Sequence, residues 1–95
     1  MNYKLKYNTK KQKHLVSIRD NLKNIIKSQK NFNLRNLSRR LGKNDAYLQQ
    51  YISRGSPAFL PEEDRKNLSN LLNLDLERIT PNWLISKNSL KDKFY

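Results

Sequence analysis

Apolar residues recur at helical spacing along most of this chain, and no segment alternates between apolar and polar residues as a strand would. From about Lys11 to Gln29 they form one amphipathic stripe, made by Leu15, Ile18, Leu22, Ile25 and Ile26. Shorter helices are predicted over Leu34 to Leu41, Asp45 to Ser53 and about Leu60 to Leu72. A short helical turn and a last segment follow, around Leu74, Leu76 and Ile79 and from Thr80 to Ile85. The predicted fold class is therefore all-α, a compact bundle of about five short helices.

Residues that favour helix ends mark the boundaries of these segments. Asn33 can accept a hydrogen bond from the first turn of the second helix, and Asn44 from that of the third. Gly42 suits the left-handed conformation that ends a helix, and Asn73 ends the fourth. That helix begins with a proline and three acids, which complement the positive end of the helix dipole: Pro61, Glu62, Glu63 and Asp64.

The pattern divides the chain into three parts. Residues 1–10 show no periodicity and are predicted to form a flexible basic arm. Residues 11–85 are predicted to form one folded domain, and residues 86–95 a polar tail. A chain of 95 residues buries only a modest core.

Charge is distributed very unevenly. The net charge is +12, and residues 1–54 hold 14 Lys and Arg against Asp20 and Asp45, whereas residues 55–95 hold six basic and six acidic residues. A basic half of this kind is typical of proteins that neutralise phosphates. The arm lysines are expected to meet phosphates as point charges: Lys4, Lys6, Lys10, Lys11 and Lys13. A solubilising lysine-rich tail remains the alternative for residues 1–13.

Several classes of function are not expected. The chain has no cysteine, which removes disulfides, thiolate zinc sites and a cysteine nucleophile, and its two glycines cannot form a phosphate-cradling loop. No apolar run could span a bilayer. His14, the only histidine, is interpreted as a solvated residue at a helix start. We therefore expect no enzyme activity, no cofactor, no metal and no small-molecule ligand, in a soluble, cytoplasmic, nucleoid-associated protein.

The most informative window is LRNLSRRLGKNDAYLQQYISRG, residues 34–55. A helix-turn-helix needs an apolar pair one turn apart, a small residue where the helices touch and a tight turn, which Leu37, Leu41, Ser38 and Gly42 supply. At about 100° per residue, the second helix places its small and amide-bearing residues on one side. Leu48, Tyr51 and Ile52 fall on the opposite side. This helix is therefore predicted to bury one face and offer the other to a DNA groove.

Two sets of candidate DNA contacts follow. Glutamine pairs bidentately with adenine, and a small residue can touch a thymine methyl, so base contacts are predicted for Asn44, Ala46, Gln49, Gln50 and Ser53. Arginine replaces lysine as the main basic residue in this window, which favours phosphate contacts. Those contacts are predicted for Arg35, Arg39, Arg40, Lys43, Tyr47 and Arg54.

For three aromatic residues an alternative role has to be considered. Tyr47 could contact a phosphate through its hydroxyl or simply cover the turn. Tyr51 is expected in the core, because it lies on the inward side of its helix. Trp83 is expected to close the C-terminal end of the core, although aromatic residues are also favoured at the centres of dimer interfaces.

The window resembles the Cro/cI-like (Xre-type) repressor family, whose fold is a small helical bundle with a helix-turn-helix, as in lambda repressor. The strongest similarity is to bacterial repressors that also carry a self-cleaving Ser–Lys peptidase domain. Two consecutive segments carry it, LSRRLGKNDAYLQQYISRGSP and LPEEDRKNLSNLLNLDLERI. The similarity covers about residues 13–80. It implies sequence-specific binding to double-stranded DNA and transcriptional repression through a homodimer on a palindromic operator. Residues 81–95 are too few for a peptidase domain, so self-cleavage is not expected here.

Two rival functions remain open. The same fold could serve an antitoxin-like or anti-repressor protein that mainly binds another protein. A general binder of nucleic acid or anionic membrane that relies on the basic arm is less favoured, since only Tyr3 and Tyr7 offer aromatic rings there. If the protein is a dimer, the charge-balanced half is the expected interface, over Ile79 to Ile85 with Trp83 central.

Overall fold

A computed structural model of the chain describes residues 10–85, and every regular element within that range is helical. Four α-helices come first: α1 Lys10–Ser28, α2 Leu34–Arg40, α3 Tyr47–Arg54 and α4 Glu62–Leu72. They are followed by the 3₁₀ helix Leu76–Ile79 and by a helical segment over residues 82–85. The all-α prediction is confirmed. The arm before Lys10 and the tail after Ile85 lie outside the described residues.

The apolar stripe of α1 forms one wall of the core. Leu15, Ile18, Leu22 and Ile26 are at most 6% exposed, as their spacing predicted. One fully buried leucine from each of the other three helices packs into the same cluster: Leu37, Leu48 and Leu68. Burying a leucine stabilises the fold by about 1.5–3 kcal/mol, so this contiguous cluster is what holds the short helices together.

The ends of α2 follow the local sequence closely. The side chain of Asn33 accepts a hydrogen bond from the backbone of Asn36 at 2.8 Å, and the side chain of Asn36 accepts one from the backbone of Asn33 at 2.9 Å. This reciprocal capping box fixes the start of the helix. Gly42, just after the helix, has φ +76°, a conformation in which a side chain is strained. Both predicted boundaries of α2 are confirmed.

The start of α3 differs from the prediction. Asp45 and Ala46 form a turn, and the helix begins at Tyr47. The carbonyl oxygen of the Asn44 side chain accepts a hydrogen bond from the backbone of Ala46 at 3.0 Å, which stabilises the turn before the helix instead of capping the helix itself. The C-terminal end is Gly55, with φ +69°. A methyl group at Gly55 would lie 2.8 Å from Nη1 of Arg19, so this glycine also makes room for α1 to pack against the end of α3.

The acids at the start of α4 have different roles. Glu62 is exposed and pairs with Lys66 at 3.1 Å, one turn along the helix. Asp64 is only 4% exposed, and its carboxylate accepts a hydrogen bond from Tyr47 at 2.6 Å. The prediction that Asp64 serves only as a helix-start charge is therefore incomplete. Asn73 ends the helix, as predicted, and adopts the left-handed conformation, φ 54°.

Residues after α4 fold back onto the start of α1. The Nε2 atom of His14 accepts a hydrogen bond from the backbone of Asn82 at 2.9 Å, and its ring meets Trp83 edge-on at 5.8 Å between centroids. Phe59 and Lys11 also lie against Trp83, at 6.3 Å and 5.2 Å. The interpretation of His14 as a solvated residue is incomplete, because its half-buried ring also contacts a segment that lies 68 residues along the chain.

One lysine near the start of α1 is placed differently from the prediction. Lys10, Lys11 and Lys13 belong to α1, although Lys10 was assigned to a flexible arm. They are exposed at its first turns.

Within residues 10–85, no helix has the length and apolar character needed to cross a membrane.

Candidate nucleic-acid interface

A buried serine joins the two helices predicted to form the helix-turn-helix. Ser38 of α2 is completely buried, and its hydroxyl donates to the carbonyl of Leu34 at 2.7 Å. The same oxygen accepts a hydrogen bond from the backbone N–H of Leu48 at 3.0 Å. Leu48 is in the first turn of α3, where backbone N–H groups have no partner within the helix, and Ala46 provides no side-chain cap. Ser38 thus supplies from α2 the cap that α3 lacks.

The two faces of α3 differ in burial as the helical wheel predicted. Leu48 and Tyr51 are 0% and 1% exposed, and Ile52 is half-buried against the core. The predicted base-contact residues are all exposed on the helix or on the turn before it: Asn44, Ala46, Gln49, Gln50 and Ser53. The short helix is therefore held by its apolar side, and its exposed side carries polar groups open to a ligand.

Internal hydrogen bonds limit what two of these side chains can offer. The hydroxyl of Ser53 donates to the backbone carbonyl of Gln49 at 2.5 Å, which leaves its oxygen to act as an acceptor. The side-chain oxygen of Asn44 is used by Ala46, which leaves its NH₂ group as a donor. Within residues 10–85, neither Gln49 nor Gln50 has a side-chain hydrogen-bond partner, so both keep donor and acceptor groups for a ligand.

Two of the predicted phosphate contacts are joined to an acid. Arg39 donates to both carboxylate oxygens of Asp45, from Nε at 2.7 Å and from Nη2 at 3.0 Å, and Nε of Arg35 donates to the same carboxylate at 3.1 Å. All three side chains are exposed. The hydrogen bonds from Arg39 lower the pKa of Asp45 to about 2, so the carboxylate is charged throughout the neutral range. Sequence reasoning did not connect Asp45 with these arginines and missed this cluster.

The remaining basic candidates are Arg40, Lys43 and Arg54. The guanidinium of Arg40 is 5.9 Å from the Phe32 ring, and the ammonium of Lys43 is 5.4 Å from the Tyr47 ring. Both contacts are of the cation–π type, in which the charged group itself lies over the ring. Arg40 and Lys43 are nevertheless exposed. Arg54 is exposed in the last turn of α3.

Tyr47 is tied to α4 through its hydroxyl group. The hydroxyl donates to Oδ2 of Asp64 at 2.6 Å in a partly buried position. Burial first, and then the hydrogen bond and the charge of Asp64, raise the pKa of Tyr47 well above its ordinary value. Because a phosphate contact would require breaking this bond, the geometry favours the alternative role, in which Tyr47 braces the turn and α3 against α4.

Two arginines that sequence reasoning did not single out lie in the interior. Arg65 of α4 is 5% exposed, and Arg19 of α1 is half-buried with its guanidinium over Gly55. The Nε atom of each is buried without a hydrogen-bond partner. Burial raises the pKa of Tyr51, and the two arginine charges oppose that rise, so both arginines act electrostatically on this phenol. Only the packing of α1 and α4 against the end of α3 could have revealed them.

One groove lies away from α3, between α4 and the C-terminal segment. It encloses about 430 Å³ and combines apolar with charged side chains: Glu62, Arg65, Lys66, Leu76, Glu77, Thr80, Leu84 and Ile85. Within residues 10–85, no three side chains of the metal-binding types come close enough to hold a metal ion.

No protein-family model, curated protein or solved structure matches this chain. The functional argument therefore depends on the residues themselves and on the surface that the fold gives them. The exposed polar face of α3, together with the basic side chains on α2 and around the turn, is the feature with the most specific chemistry.

Proposed function

We propose that this protein binds double-stranded DNA in a sequence-specific manner and acts as a transcriptional repressor, with α2 and α3 as its helix-turn-helix. The observation that carries the proposal is the two-faced character of α3. Leu48 and Tyr51 hold one side in the core, while Gln49 and Gln50 project from the other with their amide groups unused. A major groove admits one helix and presents base edges that glutamine side chains recognise.

Each exposed residue has a defined role in this proposal. Gln49 and Gln50 pair with adenine N6 and N7, and Ala46 contacts a thymine methyl. The NH₂ group of Asn44 donates to an acceptor such as guanine O6. Ser53 accepts from a base amino group, since its hydroxyl hydrogen is already used within α3.

Phosphate contacts come from the basic side chains that flank the reading helix. Arg40, Lys43 and Arg54 are exposed and carry no carboxylate partner among the described residues, so they are the primary contacts. Arg35 and Arg39 retain further N–H groups beyond those that bind Asp45. Tyr47 is not included, because its hydroxyl is bound to Asp64.

The repressor is proposed to act as a homodimer on a palindromic site, because one module of this size offers limited contact with DNA. Some side chains of the expected interface are packed within this chain. Ile79 is 2% exposed and belongs to the core, and Trp83 packs against His14 and Phe59. Leu84, which is 41% exposed, is the apolar side chain of this segment that remains open to a partner.

Selection of binding sites from a random pool of duplex DNA tests the proposal directly. We expect a palindromic consensus, with base positions that change when Gln49 or Gln50 is replaced by alanine. Each lost bidentate contact reduces discrimination at its base pair by about 1–3 kcal/mol, roughly tenfold to a hundredfold. Asn67→Ala, at an exposed amide on α4, is the matched control and leaves the consensus unchanged.

The same measurement separates this function from its rival. If no sequence is enriched, or if both glutamine variants select the parent consensus, α3 does not read DNA in the manner proposed. A different result would favour the protein-interaction module. In that case the chain would bind no duplex DNA but would form a tight complex with a protein partner that persists at high salt.

A further inference from the structure

An acidic side chain lies among the arginines of the proposed DNA surface, where it opposes phosphate binding. The carboxylate of Asp45 is held by Arg39 through two hydrogen bonds, at 2.7 Å and 3.0 Å, and by Arg35 through one, at 3.1 Å. The side chains are 46–69% exposed, so this cluster lies at the surface, open to a ligand. Exposed ion pairs of this kind contribute little to folding, which leaves the purpose of the acid to be explained.

The geometry around Asp45 matches the way arginine binds phosphate. Arginine holds a carboxylate or a phosphate through the same pair of parallel N–H groups. On Arg39 that pair is Nε–H and one Nη2–H, and both are used by Asp45. A guanidinium has five N–H groups, so Arg39 keeps three others and Arg35 keeps four. In the absence of DNA, Asp45 therefore occupies the donor edge of Arg39 that a phosphate would use.

We infer that Asp45 determines specificity by competing with DNA phosphates for Arg35 and Arg39, which weakens binding to arbitrary sequences more than binding to the operator. This inference rests on the proposed function. Affinity for arbitrary DNA comes almost entirely from phosphate contacts, so a competing carboxylate opposes most of what holds that complex together. In the operator complex, base contacts by α3 fix the register, and the remaining N–H groups of both arginines bind phosphates while Asp45 keeps its hydrogen bonds.

The decisive variant is Asp45→Asn, which removes the negative charge and keeps the size of the side chain. Its affinity and that of the parent are measured for the selected operator and for a scrambled duplex over a range of KCl concentrations. One charge removed at contact distance changes the affinity for scrambled DNA by about threefold to tenfold. We expect that increase for the scrambled duplex, a steeper salt dependence by about one phosphate contact, and a smaller increase for the operator.

Two controls separate competition from other effects. Asp75→Asn makes the same change in net charge at an exposed site in the charge-balanced half, and it is expected to leave both affinities close to those of the parent. Asp45→Glu retains the charge and is expected to stay closer to the parent than Asp45→Asn. Thermal melts of all variants exclude a general loss of structure.

A DNA-free measurement tests the cluster itself. The Nε–H resonance of Arg39 in NMR spectra should be protected from exchange in the parent and lose that protection in Asp45→Asn. Because the pKa of Asp45 is lowered to about 2, protection should persist from neutral pH down through the ordinary range of carboxylates and be lost only at strongly acidic pH.

The outcomes are distinct. If the parent binds no duplex, the proposed function and this inference both fail. If the parent binds all duplexes alike, the proposal of sequence-specific reading fails. The affinity of Asp45→Asn for the scrambled duplex then still shows whether Asp45 opposes phosphate binding. If the parent selects an operator but Asp45→Asn leaves the affinity for scrambled DNA unchanged, or Asp75→Asn raises it equally, the inference alone is overturned.

Discussion

Replacing Ser38 with alanine tests how α3 is held in place. Among residues 10–85, the hydroxyl group of Ser38 is the one side-chain group that caps the N-terminus of α3, because Ala46 makes no capping hydrogen bond and Ser38 accepts from Leu48 N–H at 3.0 Å. Both Ser38 and Leu48 are 0% exposed. In Ser38→Ala this backbone N–H therefore stays buried without a partner.

The expected loss of stability is the cost of the unpaired N–H group of Leu48 minus the small gain from the higher helix propensity of alanine. A buried N–H group left unpaired costs about 1–3 kcal/mol, and loss of an N-cap side chain costs about 0.5–2 kcal/mol. Alanine offsets a few tenths of a kcal/mol because it favours the helical conformation more than serine does. The hydrogen bond to Leu34 matters less, since that carbonyl is also available to the helix backbone. We expect Ser38→Ala to lower the free energy of unfolding by about 1–2 kcal/mol.

Urea denaturation followed by far-UV circular dichroism measures this difference, with a thermal melt beside it. A loss of about 1 kcal/mol corresponds to a fall in Tm of about 4–8 °C in a domain of this size. Ser28→Ala is the matched control, because its hydroxyl donates to Ile25 at an exposed helix end, and it should stay within about 0.5 kcal/mol of the parent.

A second variant tests how tightly the site around Ser38 is packed. Ser38→Thr keeps the hydroxyl and adds a methyl group at a site with no exposed surface, which costs about 1–3 kcal/mol through overpacking. The reasoning would be refuted if Ser38→Ala were as stable as Ser28→Ala, since the N–H of Leu48 would then have found another partner.

Two other substitutions test contacts that support the same helix. Tyr47→Phe should destabilise the fold by about 1–3 kcal/mol at neutral pH, because the buried Asp64 carboxylate loses its donor. The pKa of Tyr47 is raised in the folded state, so its stabilising contribution is complete below the ordinary tyrosine pKa of about 10 and declines as the pH rises further. Urea titrations at increasing pH should therefore show a steeper loss of stability in the parent than in Tyr47→Phe, and equal slopes would contradict this assignment. Gly55→Ala and Gly42→Ala should each cost about 1–2 kcal/mol, since both residues have positive φ angles. Gly55→Ala should cost more than Gly42→Ala, because the new methyl group at position 55 would displace Arg19, while the one at position 42 would meet nothing within 4 Å. Identical melts of the two variants would show that the Arg19 contact is unimportant.

Sequence alone predicted the features that depend on neighbouring residues. The stripe of α1 follows from helical periodicity, and the start of α2 follows from Asn33, whose partner Asn36 is three residues away. The left-handed end at Gly42 and the end of α4 at Asn73 follow from residues that tolerate positive φ angles. Helix type, helix order and the two faces of α3 were therefore readable before any tertiary structure was known.

The hydrogen bonds between distant parts of the chain were decided by tertiary packing. Ser38 and Leu48 are ten residues apart, Tyr47 and Asp64 are seventeen apart, and His14 and Asn82 are sixty-eight apart. A sequence pattern records which residues are apolar or polar, but the partner of a polar group depends on which helices the buried leucines bring together. For that reason exposure of Gln49 and Gln50 was predictable from the wheel, whereas the commitment of Tyr47 to Asp64 and the cluster around Asp45 were not. Local conformational preferences act within a few residues, and only the packed core brings distant side chains to hydrogen-bonding distance.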